Sequence, residues 1–374
     1  MRISVVGGGP AGLYFSLLCK QRHPDFEITV LEQNPEGATW GFGVVFSERA
    51  LEFLRDDDPS TYDLITPRMQ TWRDITLVHR GERIRLDGIG FSGIGRLELI
   101  QLLTERARAV GIEPQFGRTL RSLDELPPSD LIVGADGLNS LVRRGYEGDF
   151  GTSLSYLQNK FAWYGTTKPF DSLTLTFVRT LEGQFTAHHY RYSPEMSTFI
   201  VECDRATWLR VGFADMTGAE SRAYCERAFA DTLQGHPLVA NNSVWRTFPV
   251  LSNQRYGYRN LALVGDALHT AHFSIGSGTR LALEDVIALV KAIDHHPTDV
   301  AAALARYQET RQPVLDKLLA AAHASAAWHE QFPTHMQLQP RDFAMSYITR
   351  SGRIDEGRLR QMAPAFMAYY EAAH

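Results

Sequence analysis

Residues 2–12 read RISVVGGGPAG, a short β-branched run that breaks at once into glycines. Arg2 to Val6 has the length and composition of a buried parallel strand, and Leu13 to Gln21 then takes up helical apolar spacing. Between them Gly7-x-Gly9-x-x-Gly12 fits a strand-to-helix turn. Gly7 permits the tight turn, Gly9 lets a phosphate approach the backbone, and Gly12 lets helix and strand pack closely. Pro10 and Ala11 complete the turn and open the helix, whose first amides can face a pyrophosphate. Glu27 to Leu31 is a second strand, and Glu32 follows it where a carboxylate can meet a ribose hydroxyl pair. A glycine-rich turn alone is common and can be purely structural. Strand, helix and terminal acid together point to dinucleotide binding, without separating FAD from NAD.

Outward from this β-α-β unit, Asp130 to Gly134 and Leu261 to Val264 read as further short apolar strands. Leu97 to Val110 reads as an amphipathic helix with Leu97, Ile100, Leu103 and Ala107 on its inner face. Between Thr152 and Phe248 the runs TLTFVRT, QFTAHHYRY and STFIVEC are separated by turn material, which predicts antiparallel pairing. A helix over Gly218 to Leu233 interrupts them. From Val300 the chain is Ala-rich and helical, with Pro313 expected to kink or restart the helix.

A chain of 374 residues exceeds what one core usually supports. Net charge of −5 gives no basic field for DNA or RNA, so no nucleic-acid partner is expected. Cys19, Cys203 and Cys225 form no CxxC pair and no zinc spacing, which predicts reduced thiols and no metal. No run reaches the apolar length of a membrane span, and the N-terminus shows no signal-peptide order. A cytoplasmic location without membrane contact is the expectation.

Two later stretches carry the cofactor. Residues 134–143 read GADGLNSLVR and residues 262–269 read ALVGDALH, each after a short apolar strand. In order and separation these resemble the second and third fingerprints of the class A flavoprotein monooxygenases. The resemblance implies noncovalent FAD, with NADH or NADPH and O2 as co-substrates. It assigns Asp266 to the ribityl chain, Arg96 to a flavin contact, and Asp136 and Arg143 to a structural or nicotinamide-related role. The bland reading is that Asp136 and Asp266 cap the turns after their strands. In FSIGSGTRLALEDV (273–286), Gly276, Ser277 and Gly278 can bring bare amides to a helix start near Arg280, favouring charge on a reduced flavin. Glu284 and Asp285 are expected in the first turns as dipole partners.

Where the wider class usually has prolines, this chain has His272 and Phe273. Together with WGFGVVFSE (40–48), VHRGERIRLDGIGFSGIGR (78–96), FAWYGTTKPFD (161–171) and STFIVEC (197–203), this is similar to a subgroup that hydroxylates aromatic acyl-CoA thioesters, salicylyl-CoA and anthraniloyl-CoA among them. A violacein-pathway hydroxylase acting on an indole intermediate shares several of these stretches. The likeness runs from Met1 to about Pro340, and the second catalytic half of the fused acyl-CoA enzymes is not expected here.

The implied fold is α/β. A Rossmann-like FAD-binding domain of the aromatic-hydroxylase type (1–75, 95–150, 255–300) carries an inserted antiparallel-sheet substrate domain (76–94, 151–254) and a C-terminal helical region (301–374). The implied substrate is an aromatic CoA thioester, salicylyl-CoA first, giving gentisyl-CoA. A free aromatic acid or a tryptophan-derived indole is the alternative. The oligomeric state stays open.

Ring attack is helped when a phenol on the ring loses its proton, and histidine is the usual means. His272, beside the glycine loop, is the catalytic candidate, and His269 reads as structural. His188 and His189 alternate on a strand and must point to opposite faces. Val44, Val45, Phe46 and Phe273 can wall an apolar site or simply pack. Arg341, Arg350, Arg353, Arg358 and Arg360 could meet CoA phosphates, though a solvated helical face is the preferred reading.

Overall fold

The computed structural model describes residues 1–372, without the side chains of residues 48–50. The opening strand Arg2–Val6 pairs in parallel with Glu27–Leu31 on one side and Leu131–Gly134 on the other. Leu261–Leu263 adds beyond Leu131–Gly134, and the two-residue Gly257–Tyr258 closes the edge, giving a five-stranded sheet. The helices Pro10–Arg22, Arg96–Ala109 and Gly278–His295 cover this sheet and share one core with it. Parallel strands buried on both faces read as continuous apolar runs, as these do.

An eight-stranded sheet forms the second layer system. Its spine is Ser197–Cys203 between Gln184–Arg191 and the fifteen-residue Thr152–Thr166, all antiparallel. One pairing departs from the expected antiparallel pattern. Leu173–Arg179 pairs in parallel with Ile75–His79, so that the hairpin of Ile75–His79 and Glu82–Leu86 extends the sheet edge. Phe91–Gly95 leaves this sheet and pairs with Gly43–Ser47 and Gln70–Trp72 in a three-stranded sheet between the two units.

Period-two alternation decides what each face of the large sheet does. Ala162, Tyr164, Phe185, Ala187, Phe199 and Val201 point one way, onto Phe213, Cys225 and Phe229. On the other face, Leu175 and Phe177 meet Trp328, Phe332 and Phe343 of the C-terminal helices.

Three expectations are corrected. The helix Arg96–Ala109 buries Leu99, Leu102, Leu103 and Ala107, while Leu97 and Ile100 are only half-buried, because its inner face is set by packing on Pro10–Arg22. Pro313 does not restart its helix: Val300–Glu330 runs through it, with Arg311, Leu315 and Leu318 buried around the proline, so tertiary packing offsets the local penalty. Glu284 and Asp285 lie in the second turn of a helix that begins at Gly278, but as ion-pair partners of Arg280, Arg311 and His269 rather than of the helix dipole. All three cysteines are free and buried, and among the described residues no helix is long and apolar enough to cross a membrane.

Candidate active site

The glycine loop has the shape its sequence requires. Gly7 adopts φ +107°, and a Cβ there would lie 2.4 Å from the Ala135 carbonyl oxygen. A Cβ on Gly12 would lie 1.9 Å from the Gly7 carbonyl oxygen, whereas one on Gly9 meets nothing within 4 Å. Gly7 and Gly12 are therefore required by packing, and Gly9 leaves an open approach to the backbone. Pro10 is the first residue of the following helix, where a missing N–H costs nothing. Glu32 accepts from the Gly8 amide at 2.6 Å and from the Asn34 amide at 2.8 Å, so its carboxylate ties the second strand to the loop.

A cavity of about 720 Å³ opens from this loop toward the large sheet. Gly9, Pro10, Ala11, Arg96, Asp266, Gly276, Ser277 and Gly278 all border it. Gly7, Gly12, Glu32, Asp136 and His272 do not line it. Asp266 is enclosed by protein yet open to the cavity; burial raises its pKa, and His269 and Arg96 oppose that shift. Arg96 is likewise desolvated, with the Asp266 charge supporting its protonated form. Its Nε donates to Thr39 Oγ1 at 3.2 Å. Gly276 has φ +57° and closes a short turn over Phe273–Ile275, after which Gly278 begins the helix whose N-terminus faces the cavity.

Asp136 does what the bland reading allowed: its Oδ2 accepts from the Leu141 amide at 2.6 Å. Its Oδ1 is buried and unpartnered, and burial raises the pKa of the group. Arg143 is 2% exposed and donates to the carbonyls of Ala267 and Leu138, so it links the second loop to the third. His269 Nε2 donates at 2.8 Å to Asp285, which is fully buried and also accepts from the Gly265 amide and Arg311 Nε. Burial pushes the Asp285 pKa up, but His269 and Arg311 outweigh it and hold the carboxyl below its usual range. Sequence reading missed this network; the only signal was a charged pair inside an otherwise apolar helical face.

At its far end the cavity is walled by Phe161, Trp163, His188, Tyr190 and Ile200 of the large sheet and by Phe273. Val44 and Val45 line it as well, while Phe46 is wholly packed in the core. Alternation separates the two histidines. His188 faces the cavity, whereas His189 stacks on Phe199 and meets Thr176 Oγ1 at 2.9 Å on the opposite face. His272 lies behind the wall. It is 4% exposed, its Nδ1 meets Ser274 Oγ at 2.8 Å, and burial depresses its pKa to about 3. Ser274 does line the cavity and continues through Ser325 to Arg350. Of the five tail arginines, Arg350, Arg353 and Arg358 reach the cavity. Arg341 stacks on Tyr369, and Arg360 pairs with Glu356 and Glu371. Three buried groups beside the cavity, His188, Glu202 and His329, bring possible ligand atoms within 4.8 Å of one another, a cluster that sequence spacing could not reveal.

A dinucleotide loop, two further loops at the ends of the same parallel sheet, and a cavity running from them to an aromatic wall define a nucleotide-dependent oxidoreductase. The FAD binding domain family model matches residues 128–322. Over 377 aligned residues the chain is 37% identical to salicyloyl-CoA 5-hydroxylase of a Streptomyces species, covering 98% of this chain and 72% of the relative. It is 34% identical to 3-hydroxy-4-methyl-anthranilyl-[aryl-carrier protein] 5-monooxygenase of Streptosporangium sibiricum, over 89% and 90% of the two chains. With protodeoxyviolaceinate monooxygenase of Chromobacterium violaceum it shares 36% identity, over 94% of each. Among solved structures, 2-methyl-3-hydroxypyridine-5-carboxylic acid oxygenase superposes with a TM-score of 0.71 at 17% identity, covering 97% and 95% of the two chains, a likeness of fold. The chain belongs to the FAD-dependent aromatic monooxygenases, and its cofactor is FAD.

Proposed function

We propose that this enzyme hydroxylates an aromatic acyl-CoA, salicylyl-CoA to gentisyl-CoA, using NADH or NADPH and O2. The supporting observation is a single cavity that joins the dinucleotide loops to an aromatic wall and to arginines of the C-terminal region. Bound FAD, reduced by the nicotinamide, supplies the O2 activation. The chain's own residues bind, orient and exclude water. Gly7, Gly9, Pro10, Ala11 and Gly12 form the pyrophosphate cradle, and Glu32 offers its carboxylate to the ribose while holding the loop. Asp266 would accept from the ribityl chain, Arg96 would contact the flavin, and the amides at Gly276, Ser277 and Gly278 would favour negative charge on its ring. Asp136 acts through the turn it caps.

A thioester withdraws electrons from the ring, so a hydroxyl or amino donor must restore density at the position para to it; the 5-position of salicylyl-CoA meets that condition. Phe161, Trp163 and Phe273 supply the dry surroundings such chemistry needs. Arg353 and Arg358 suit the phosphates of CoA. His272 holds Ser274 at the cavity edge. His272→Ala should leave flavin reduction nearly intact while raising hydrogen peroxide release; unchanged coupling would return His272 to packing. The assay for the whole reading compares kcat/KM and coupling for salicylyl-CoA, anthraniloyl-CoA, free salicylate and indole substrates. A higher kcat/KM for salicylate or an indole, with good coupling, would replace the thioester assignment.

A further inference from the structure

Behind the cavity wall the large sheet buries a carboxylate between two imidazoles. Glu202 is 1% exposed, and its Oε1 accepts from Asn159 Nδ2 at 2.8 Å. Its Oε2 lies 3.8 Å from His188 Nε2 and 3.5 Å from His329 Nδ1. Glu202 Oε2, His188 Nε2 and both ring nitrogens of His329 are buried without a hydrogen-bond partner. Buried polar atoms are rarely left unpaired, and such exceptions gather at functional sites. Of these three residues, His188 borders the cavity.

The register explains the arrangement. His188 pairs with Ile200 and Thr186 with Glu202, so His188 and Glu202 are diagonal neighbours on one face of adjacent strands. Phe161 and Trp163 share that face on the next strand, and His329 is brought against it by the helix Val300–Glu330. With Nε2 turned to Glu202, Nδ1 is the nitrogen left for the cavity.

We propose that His188 is the base that takes the phenolic proton of a bound hydroxyaryl substrate, with Glu202 and His329 as positioning residues behind it. This rests on the hydroxylation reading above. The phenol O–H bond breaks heterolytically: the proton passes to His188 Nδ1, and the electron pair stays on the phenolate oxygen and enriches the para carbon. The Nε2–H of the imidazolium then faces the Glu202 carboxylate 3.8 Å away, whose negative charge offsets it. When the hydroxylated ring regains aromaticity, His188 returns the proton to the phenolate, so no net proton is consumed at this site.

Charged and titratable groups face His188 from every element packed against it. Glu202 comes from the neighbouring strand, His329 from the long helix, His272 from the loop before Ser274, and Arg350 from the end of Pro340–Thr349. His189 sits on the opposite face. Burial first, then His329, His272 and Arg350, hold His188 well below its ordinary range, so the ring is neutral in the empty site and holding a proton needs the counter-charge of the phenolate on one side and of Glu202 on the other. Burial raises the Glu202 carboxyl, opposed by His272 and Asn159. His272 cannot substitute, because its Nδ1 is engaged by Ser274 and it does not line the cavity.

The test titrates FAD-loaded enzyme with salicylyl-CoA and, separately, salicylamide, and follows phenolate absorbance against pH. In the wild type the bound phenol should ionise at lower pH than the free one. His188→Gln should abolish that shift, Glu202→Gln should reduce it, and Glu202→Asp should recover part of it, each with normal FAD content. Under turnover, His188→Gln should lose about 100-fold in product formed at neutral pH. It should regain product as pH rises through the phenol's own pKa. A loss that is independent of pH, or an equal phenolate signal in wild type and His188→Gln, overturns the assignment. One zinc per chain in the purified holoenzyme, lost in His329→Ala, overturns it as well, since a cation would occupy the same lone pairs. A phenolate signal without hydroxylated product supports the proton acceptor and contradicts the reaction proposed above.

Discussion

At the residue scale, the site is built on positions where one atom decides the outcome. Gly12 is such a position, since a methyl group would sit 1.9 Å from a backbone carbonyl oxygen that cannot move without opening the turn. Gly12→Ala is expected to yield protein with little or no bound FAD, read as the ratio of flavin to protein absorbance; full occupancy would mean the loop has another shape. Asp266 presents its carboxylate to the cavity. A charge-assisted hydrogen bond to the ribityl chain is worth about 1.5–3 kcal/mol, so Asp266→Ala should weaken FAD binding by roughly 10- to 100-fold. An unchanged Kd in a reconstitution titration would place the ribityl contact elsewhere. Arg353 and Arg358 line the cavity. Replacing both with alanine should raise KM for a CoA thioester while leaving KM for the free acid nearly unchanged. Equal effects on both substrates would exclude a CoA contact.

At the scale of elements, the helix Gly278–His295 is held in place through its own charges. Asp285 bonds His269, the Gly265 amide and Arg311, which joins the third loop to both long helices. Removing one member of a buried ionic network strands the others, so Asp285→Asn should cost about 3 kcal/mol, read as a lowered denaturation midpoint. The pH dependence follows from the sign of the shift. A depressed Asp285 pKa gives stability that is fully present above the ordinary aspartate range and is lost as pH falls below it. A wild type no more acid-sensitive than Asp285→Asn would contradict this. Such cross-links mark where sequence reading stopped. The glycine loop, both later loops and the antiparallel runs were legible because each depends on neighbours in the chain: turn chemistry, period two or a helix start. Which face of Arg96–Ala109 is buried, the unbroken passage through Pro313 and the Asp285 network depend on contacts between distant segments. His188 and His189 show the boundary well. Their opposition was legible from alternation, but the cavity side required knowing which face the C-terminal helices and the flavin loops share.

At the scale of the whole molecule, two sheet systems meet across one cavity, which is bordered by the glycine loops, the large antiparallel sheet and the C-terminal helices. On the proposed reading that arrangement would keep the reacting ring beside FAD and behind aromatic side chains, and Arg350, Arg353 and Arg358 line the same cavity. On the proposed function this cavity would transfer an oxygen atom from O2 to an aromatic thioester. The direct measurement is turnover of the FAD-loaded enzyme with salicylyl-CoA, NADH or NADPH and isotopically labelled O2, with mass analysis of the product. One labelled oxygen in gentisyl-CoA, formed nearly one for one with nicotinamide consumed, is the expected result. Nicotinamide consumption that ends only in hydrogen peroxide for every aromatic thioester tried would contradict it.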